Sequence, residues 1–222
     1  MAGLVVVALG GPTPDTPLLR ARIADAALFI AADSGARRLA ALGLRPDLLT
    51  GDFDSLTAAQ REAAERAGAE VVPHPEPQQT TDGAVALRLA VERGARSIVV
   101  LGAHGGERMD HSLGNLLAFF DPALGSLPVT AVDGHSEATA LRAGGRASVT
   151  FEGRAGDYVS LLPVSAAVRV STQGLRWPLA DASLSRGMSR ALSNELLGTS
   201  GGYALSEGAA LAVHVARGPG AA

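Results

Sequence analysis

Asp52 and Asp54 sit two residues apart in the segment Gly51-Asp-Phe-Asp-Ser55. In an extended loop both side chains would point to one side, with Cα atoms about 6.6 Å apart. Two carboxylates held that way repel unless a cation lies between them, and Mg²⁺ suits the task because it takes one or two carboxylates and fills its shell with phosphate oxygens and water. The alternative is that one of them caps the helix beginning near Thr57, although Thr57-Ala-Ala-Gln60 can itself form a capping box there. Asp82 could add a third carboxylate to this metal set, or simply favour the N-terminus of its own helix through the helix dipole. In the loop from Gly102 to His111, glycine-rich backbone could wrap an anion and Arg108 could donate to it bidentately. The alternatives are that Asp110 caps the helix Ser112–Phe120 or pairs with Arg108, and that His111 is a packed histidine.

These residues need a scaffold that brings distant loops together. Through residue 133, short Val/Ile/Leu runs alternate with longer Ala/Arg/Leu stretches of helical spacing, the rhythm of a mostly parallel sheet with crossover helices. Strands are expected at 4–9, 28–32, 47–50, 71–73, 98–101 and 129–132. Gly68 and Gly94 stand where helices ending at Ala67 and Arg93 need a left-handed residue. In such sheets ligands bind at the carboxyl ends of the strands. Asp33, Asp52, Asp54, Asp82 and the Gly102–His111 loop all fall on that edge.

Beyond residue 133 strand-length alternation takes over, at 147–151, 158–163, 168–171, 203–205 and 211–216, with no long helix. We expect two domains: an α/β unit over 1–133, followed by an all-β sandwich or small barrel over 134–222. In the second, Trp177 and the pair Ser193-Asn194 stand out, with core packing and a turn as their ordinary explanations.

Composition narrows the chemistry. The 222 residues are 47% hydrophobic and 18% charged with a net charge of -3, which speaks against a nucleic-acid partner. There is no cysteine, so thiolate chemistry and Cys-ligated metal sites are excluded. All 19 basic residues counted as Lys+Arg are arginine, which excludes a lysine-dependent phosphate loop. Cationic help at a site must come from arginine or a metal. No targeting or membrane segment is apparent, so a cytoplasmic location is expected.

Taken in order, the motifs resemble those of the thiamine pyrophosphokinases, which transfer a pyrophosphoryl group from ATP to thiamine. Asp33-Ser-Gly35, Pro46-Asp-Leu-Leu-Thr-Gly-Asp-Phe-Asp-Ser55, Thr81-Asp82, Arg108-Met-Asp-His111, Gly174–Leu179 and Ser193-Asn-Glu195 carry the resemblance. It implies an α/β domain followed by a β-sandwich, in a homodimer with active sites at the interface. It implies that Asp52, Asp54 and Asp82 hold Mg²⁺, with Arg108 and Asp110 completing the catalytic set. Asp33, Gly35, Gln78, Thr81, Arg108 and His111 would bind ATP, and Trp177, Ser193 and Asn194 would bind thiamine. Ser34, Gln79, Ala84 and Ala191 depart from the family pattern; Ser34 and Ala191 are tolerable unless the backbone there needs positive φ. Two alternatives remain: a related pyrophosphokinase for another hydroxymethyl heterocycle such as a pterin, and a non-catalytic nucleotide- or thiamine-binding homologue.

Overall fold

The computed structural model describes residues 3–74 and 79–217, and the chain divides into two compact units between Gly134 and His135. The first unit runs β1 (Leu4–Ala8), α1 (Pro17–Ile23), β2 (Ala26–Ala32), α2 (Gly35–Ala41), β3 (Leu48–Gly51) and α3 (Ala58–Arg66). It continues through β4 (Glu70–Pro73), α4 (Asp82–Glu92), β5 (Ser97–Leu101), α5 (Met109–Ala118), a 3₁₀ turn at Pro122–Leu124 and β6 (Val129–Val132). The strands are parallel in the order β6-β5-β1-β2-β3-β4. All six expected strands are present to within two residues at each end.

Local chemistry explains the helix ends. Thr16 accepts from the Leu19 N–H with Pro17 opening α1, and Thr57 and Gln60 form the expected reciprocal capping box of α3. Gly68 and Gly94 take φ of 97° and 79° just past α3 and α4, where a side chain would be strained. Strands β1 and β5 are almost wholly buried, as both-face coverage by crossover helices requires.

Connections leaving β1 build the sheet towards β4, whereas those leaving β5 build it towards β6. The order reverses between these two neighbours. At such a switch point the adjoining loops part and leave a crevice at the carboxyl edge.

The second unit comprises β7 (Ser136–Arg142), β8 (Ser148–Glu152), β9 (Tyr158–Pro163), β10 (Ala167–Gln173), β11 (Ala182–Ser185), β12 (Asn194–Glu195), β13 (Ser200–Glu207) and β14 (Ala209–Val215). They form two antiparallel arrays, β12-β9-β14-β7 and β11-β10-β13-β8. Inward residues of both, among them Leu141, Phe151, Leu161, Val170, Leu184 and Tyr203, make one core. The Tyr203 hydroxyl crosses that core to donate to the Val159 carbonyl at 3.1 Å, which satisfies an otherwise costly buried polar group.

Strand β7 escapes the pattern of the sequence because it buries Glu137 and Thr139 among its alanines. Glu137 stands in register with His214 of β14, their Oε2 and Nδ1 atoms 4.0 Å apart, and the other side of the His214 ring lies 3.3 Å from Asp157. Its polarity reflects a buried polar cluster, not an exposed loop. No helix among the described residues is long and apolar enough to cross a membrane.

Candidate active site

A cleft of about 830 Å³ opens at the carboxyl edge of the parallel sheet, lined by the loops that follow β1, β2, β3 and β5 and by the residues that open α4. Asp33 terminates β2 in the left-handed region, φ 43°, which aspartate tolerates better than most residues. Its N–H donates to the Thr50 carbonyl at 2.8 Å, binding the end of β2 to β3. Only 7% of the residue is exposed, yet its Oδ1 has no hydrogen-bond partner among the described residues. A buried carboxylate oxygen left unmatched is expensive unless something else meets it.

The loop after β3 differs from the extended geometry expected from spacing alone. Phe53 lies at φ 63° and the Asp54 N–H donates to Asp52 Oδ1 at 3.1 Å, so the chain turns about the Asp52 side chain. The carboxylates still converge. Asp33, Asp52 and Asp54 each present an oxygen, all within 4.8 Å of one another. At that separation each pair of charges repels by about 1 to 3.5 kcal/mol, depending on effective dielectric. A divalent, oxygen-seeking cation resolves both the repulsion and the orphaned Asp33 oxygen, so the donor set fits Mg²⁺.

Asp82 lies outside this close trio, whose third member is Asp33. It opens α4, with Thr81 as N-cap accepting from the Ala84 N–H at 3.2 Å. Burial pushes the Asp82 carboxyl above the ordinary 3.8, and the charges of Asp52, Asp33 and Asp54 push it further, partly offset by His74. The folded state therefore holds the Asp82 proton more tightly than the unfolded chain. Stability contributed by this group falls as pH rises from about 3.8 through the raised folded value. With metal chelated away, Asp82→Asn gains stability relative to the parent chain as pH rises through that window, and Mg²⁺ shrinks the difference. Denaturant titrations of both proteins across pH, with and without Mg²⁺, check this.

The β5–α5 loop is pinned at several points. The Gly11 N–H donates to the Gly102 carbonyl at 3.0 Å, Asn115 Nδ2 donates to the Ala103 carbonyl at 3.0 Å, and His104 Nε2 lies 3.3 Å from Asp133. Gly102 and Gly105 take φ of 66° and 85°. His111 lines the cleft. Helix α5 begins at Met109, three residues before the expected start, with Arg108 in the N-cap position, so Asp110 is not a cap. Asp110 instead receives two bonds from Arg108, at 2.9 and 2.6 Å, the local ion pair that its spacing allowed. The guanidinium holds the Asp110 carboxyl well below the usual carboxylate range. Both side chains are about two-thirds exposed.

A second arginine lines the cleft. Arg38 of α2 donates through Nε and Nη2 to the Gly10 carbonyl, at 2.9 and 2.7 Å. Gly35, at the start of the same helix, abuts β1 so closely that a Cβ there would lie 1.9 Å from the Ala8 carbonyl oxygen. Gln78 falls outside the described residues.

In the second unit, Trp177 is 53% exposed and so is not core packing; the Arg176 guanidinium lies over its ring at 5.4 Å. Asn194 is buried and holds the Trp177 backbone from both ends of its amide, accepting from the N–H at 3.0 Å and donating to the carbonyl at 2.7 Å. Ser193 sits at φ 54° with its N–H on Ser160 Oγ. Asn194 therefore positions Trp177 with both polar atoms engaged. Ser34 has φ -57°, and Ala191 is not among the positive-φ residues, so neither departure strains the backbone.

Comparison with known families supplies the remaining observation. Residues 19–130 match "Thiamin pyrophosphokinase, catalytic domain", and residues 148–202 match "Thiamin pyrophosphokinase, vitamin B1 binding domain". The chain belongs to the thiamine pyrophosphokinase family. A thiamine pyrophosphokinase of Bacillus subtilis is 27% identical over 203 residues, covering 91% of this chain and 94% of that protein. Crystal structures of thiamine pyrophosphokinases from Bacillus subtilis and Geobacillus thermodenitrificans superpose with TM-scores of 0.80 and 0.74. Their identities are 27% and 32%, with 96% and 98% of this chain covered, and 99% of each of theirs. The cleft carboxylates Asp33, Asp52, Asp54 and Asp82 lie within the matched catalytic segment, and Trp177, Ser193 and Asn194 lie within the matched vitamin-binding segment.

Within this thiamine pyrophosphokinase fold Arg38, His74 and Asn115 take up positions that no sequence motif marks. His74 donates its N–H to the Gly51 carbonyl, and its ring Nε2 lies 3.1 Å from the Thr80 carbonyl, between two carboxylate-bearing loops. Asn115 anchors the glycine loop. Nothing in local sequence separates such residues from ordinary polar ones, because their partners are backbone atoms brought near by the fold.

Proposed function

We propose that this chain transfers the pyrophosphoryl group of ATP to the hydroxyl of thiamine, giving thiamine diphosphate and AMP. The observation that carries this reading is the trio Asp33, Asp52 and Asp54, inside the matched catalytic segment, with the unmatched Asp33 oxygen facing the cleft cluster. Pyrophosphoryl transfer asks little covalent chemistry of the protein. It requires two reactants held in line and the developing charge neutralised.

The thiamine oxygen attacks the β-phosphorus while the bond from that phosphorus to the α-bridging oxygen breaks, and AMP leaves. The hydroxyl proton passes to a cleft carboxylate. Asp52 and Asp54, with Asp33 and Asp82 beside them, would hold Mg²⁺, which supplies charge neutralisation at the phosphates. The β5–α5 loop, held by Asn115 and Gly11, walls the phosphate side. Gly35, Thr81, Arg108, Asp110 and His111 belong to the nucleotide side of this reading, and Trp177, placed by Asn194 next to Ser193, to the thiamine side. An exposed aromatic face beside a slightly acidic chain suits a cationic thiazolium. The enzyme would act as a homodimer with its active sites at the subunit interface, in the cytoplasm.

Acceptor choice is tested by supplying ATP and Mg²⁺ with either thiamine or a hydroxymethylpterin and following AMP. Release with thiamine alone supports the reading. Release with the pterin alone assigns a different acceptor, and binding of ATP without AMP release would mark a non-catalytic homologue. Sedimentation of the active species tests the dimer, which an active monomer would contradict.

A further inference from the structure

We infer that Arg38 is a phosphate-contacting residue of the nucleotide site, an assignment that rests on the ATP-dependent reading above. The cleft gathers Asp33, Asp52, Asp54 and Asp82, and a polyphosphate entering it adds further negative charge. Mg²⁺ cancels two of those charges, and with no lysine in the chain the rest falls to arginine. Two arginines line the cleft, and they differ in one respect. Arg108 is engaged by Asp110 through both carboxylate oxygens, so its charge is already matched. Arg38 has no carboxylate partner among the described residues; its bonds go to the carbonyl of Gly10.

That tether matters physically. Fixing Nε and Nη2 on one main-chain oxygen removes most of the rotamer freedom of a long side chain and leaves the Nη1 donors unspent. A guanidinium held in this way, with its full charge uncompensated, meets an anionic oxygen at small entropic cost. The Gly10 carbonyl belongs to the loop leaving β1, at the switch point of the sheet, so the tether also sets where along the cleft that charge stands.

Isothermal titration of ATP with Mg²⁺, inorganic pyrophosphate with Mg²⁺, and adenosine into the full chain and into Arg38→Met tests the inference, alongside steady-state kinetics and melting. We expect affinity for ATP and pyrophosphate to fall about tenfold or more, the loss of a charge-assisted bond. Adenosine binding, the KM for thiamine and the melting temperature stay within the spread of the parent protein. Arg38→Lys recovers part of the pyrophosphate affinity because it keeps the charge but loses the fork. Unchanged ATP and pyrophosphate affinity in Arg38→Met overturns the inference. So does an equal loss for adenosine together with a lowered melting temperature, which would give Arg38 a purely structural role. Failure of the parent chain to bind ATP would instead defeat the reading on which the inference stands, and this inference with it.

Discussion

Asp54→Asn reduces turnover to about 1% of the parent value or less while the protein melts at the same temperature or slightly higher. The substitution is close to isosteric. Asp54 is exposed, and the one bond its side chain accepts from another side chain among the described residues, from Ser55 Oγ at 2.9 Å, can also be accepted by an amide oxygen. No buried group is orphaned, so the fold loses little. What disappears is one of three charges held within 4.8 Å, and with it much of the attraction for a divalent cation. Without metal, the trio repels itself, so removing one charge relieves the folded state. Manganese titration followed by electron paramagnetic resonance should show weaker binding in the variant, with no need for turnover. Near-normal activity and unaltered metal dependence would remove Asp54 from the metal set.

Gly35→Ala acts through space alone. A Cβ at this position would lie 1.9 Å from the Ala8 oxygen, 2.6 Å from its carbon and 3.2 Å from the Leu9 nitrogen. All three are main-chain atoms at the end of β1, which is bonded on both sides by β2 and β5 and cannot yield cheaply. Gly35 is not among the positive-φ residues, so the penalty is steric contact and not a forbidden dihedral. We expect a loss of about 3 kcal/mol or more, above the common range for overpacking. Gly114 is the internal control: it lies within α5 with nothing within 4 Å of a built Cβ. Gly114→Ala should gain about 0.5 to 1 kcal/mol. Urea denaturation of the two variants settles both signs, and a Gly35→Ala protein as stable as its parent would mean that α2 does not approach β1 as described. Gly35 thus lets α2 begin against the sheet.

Much of this architecture can be read from the chain. The β-branched runs that became β1 to β6 are bounded by capping residues and glycines whose roles are local, so Thr57, Gly68 and Gly94 announce their helix ends without tertiary help. Placing Asp33, Asp52 and Asp54 on one edge follows from strand order alone. Their close approach does not, because it depends on left-handed backbone at Asp33 and Phe53, conformations imposed by the β2–β3 pairing and by a side chain turning its own loop. Residue spacing allowed Arg108 to bind phosphate or to pair with Asp110, and the ion pair becomes visible only in the coordinates. Arg38 was hidden for a related reason. Arg37 and Arg38 are the same residue type side by side on α2, and what distinguishes Arg38 is a carbonyl 28 positions away. In the second unit, β7 was obscured because its buried Glu137 and Thr139 give it the polarity of a loop.

In the proposed reaction the carboxylate cleft moves a pyrophosphoryl group, and not a single phosphoryl group, onto thiamine. Chromatographic quantification of every nucleotide and thiamine ester formed from ATP, Mg²⁺ and thiamine tests it most directly. Pyrophosphoryl transfer gives AMP and thiamine diphosphate in equal amounts, no ADP, and neither product once the metal is chelated. ADP appearing with thiamine monophosphate, or thiamine diphosphate forming at full rate without a divalent cation, would contradict it.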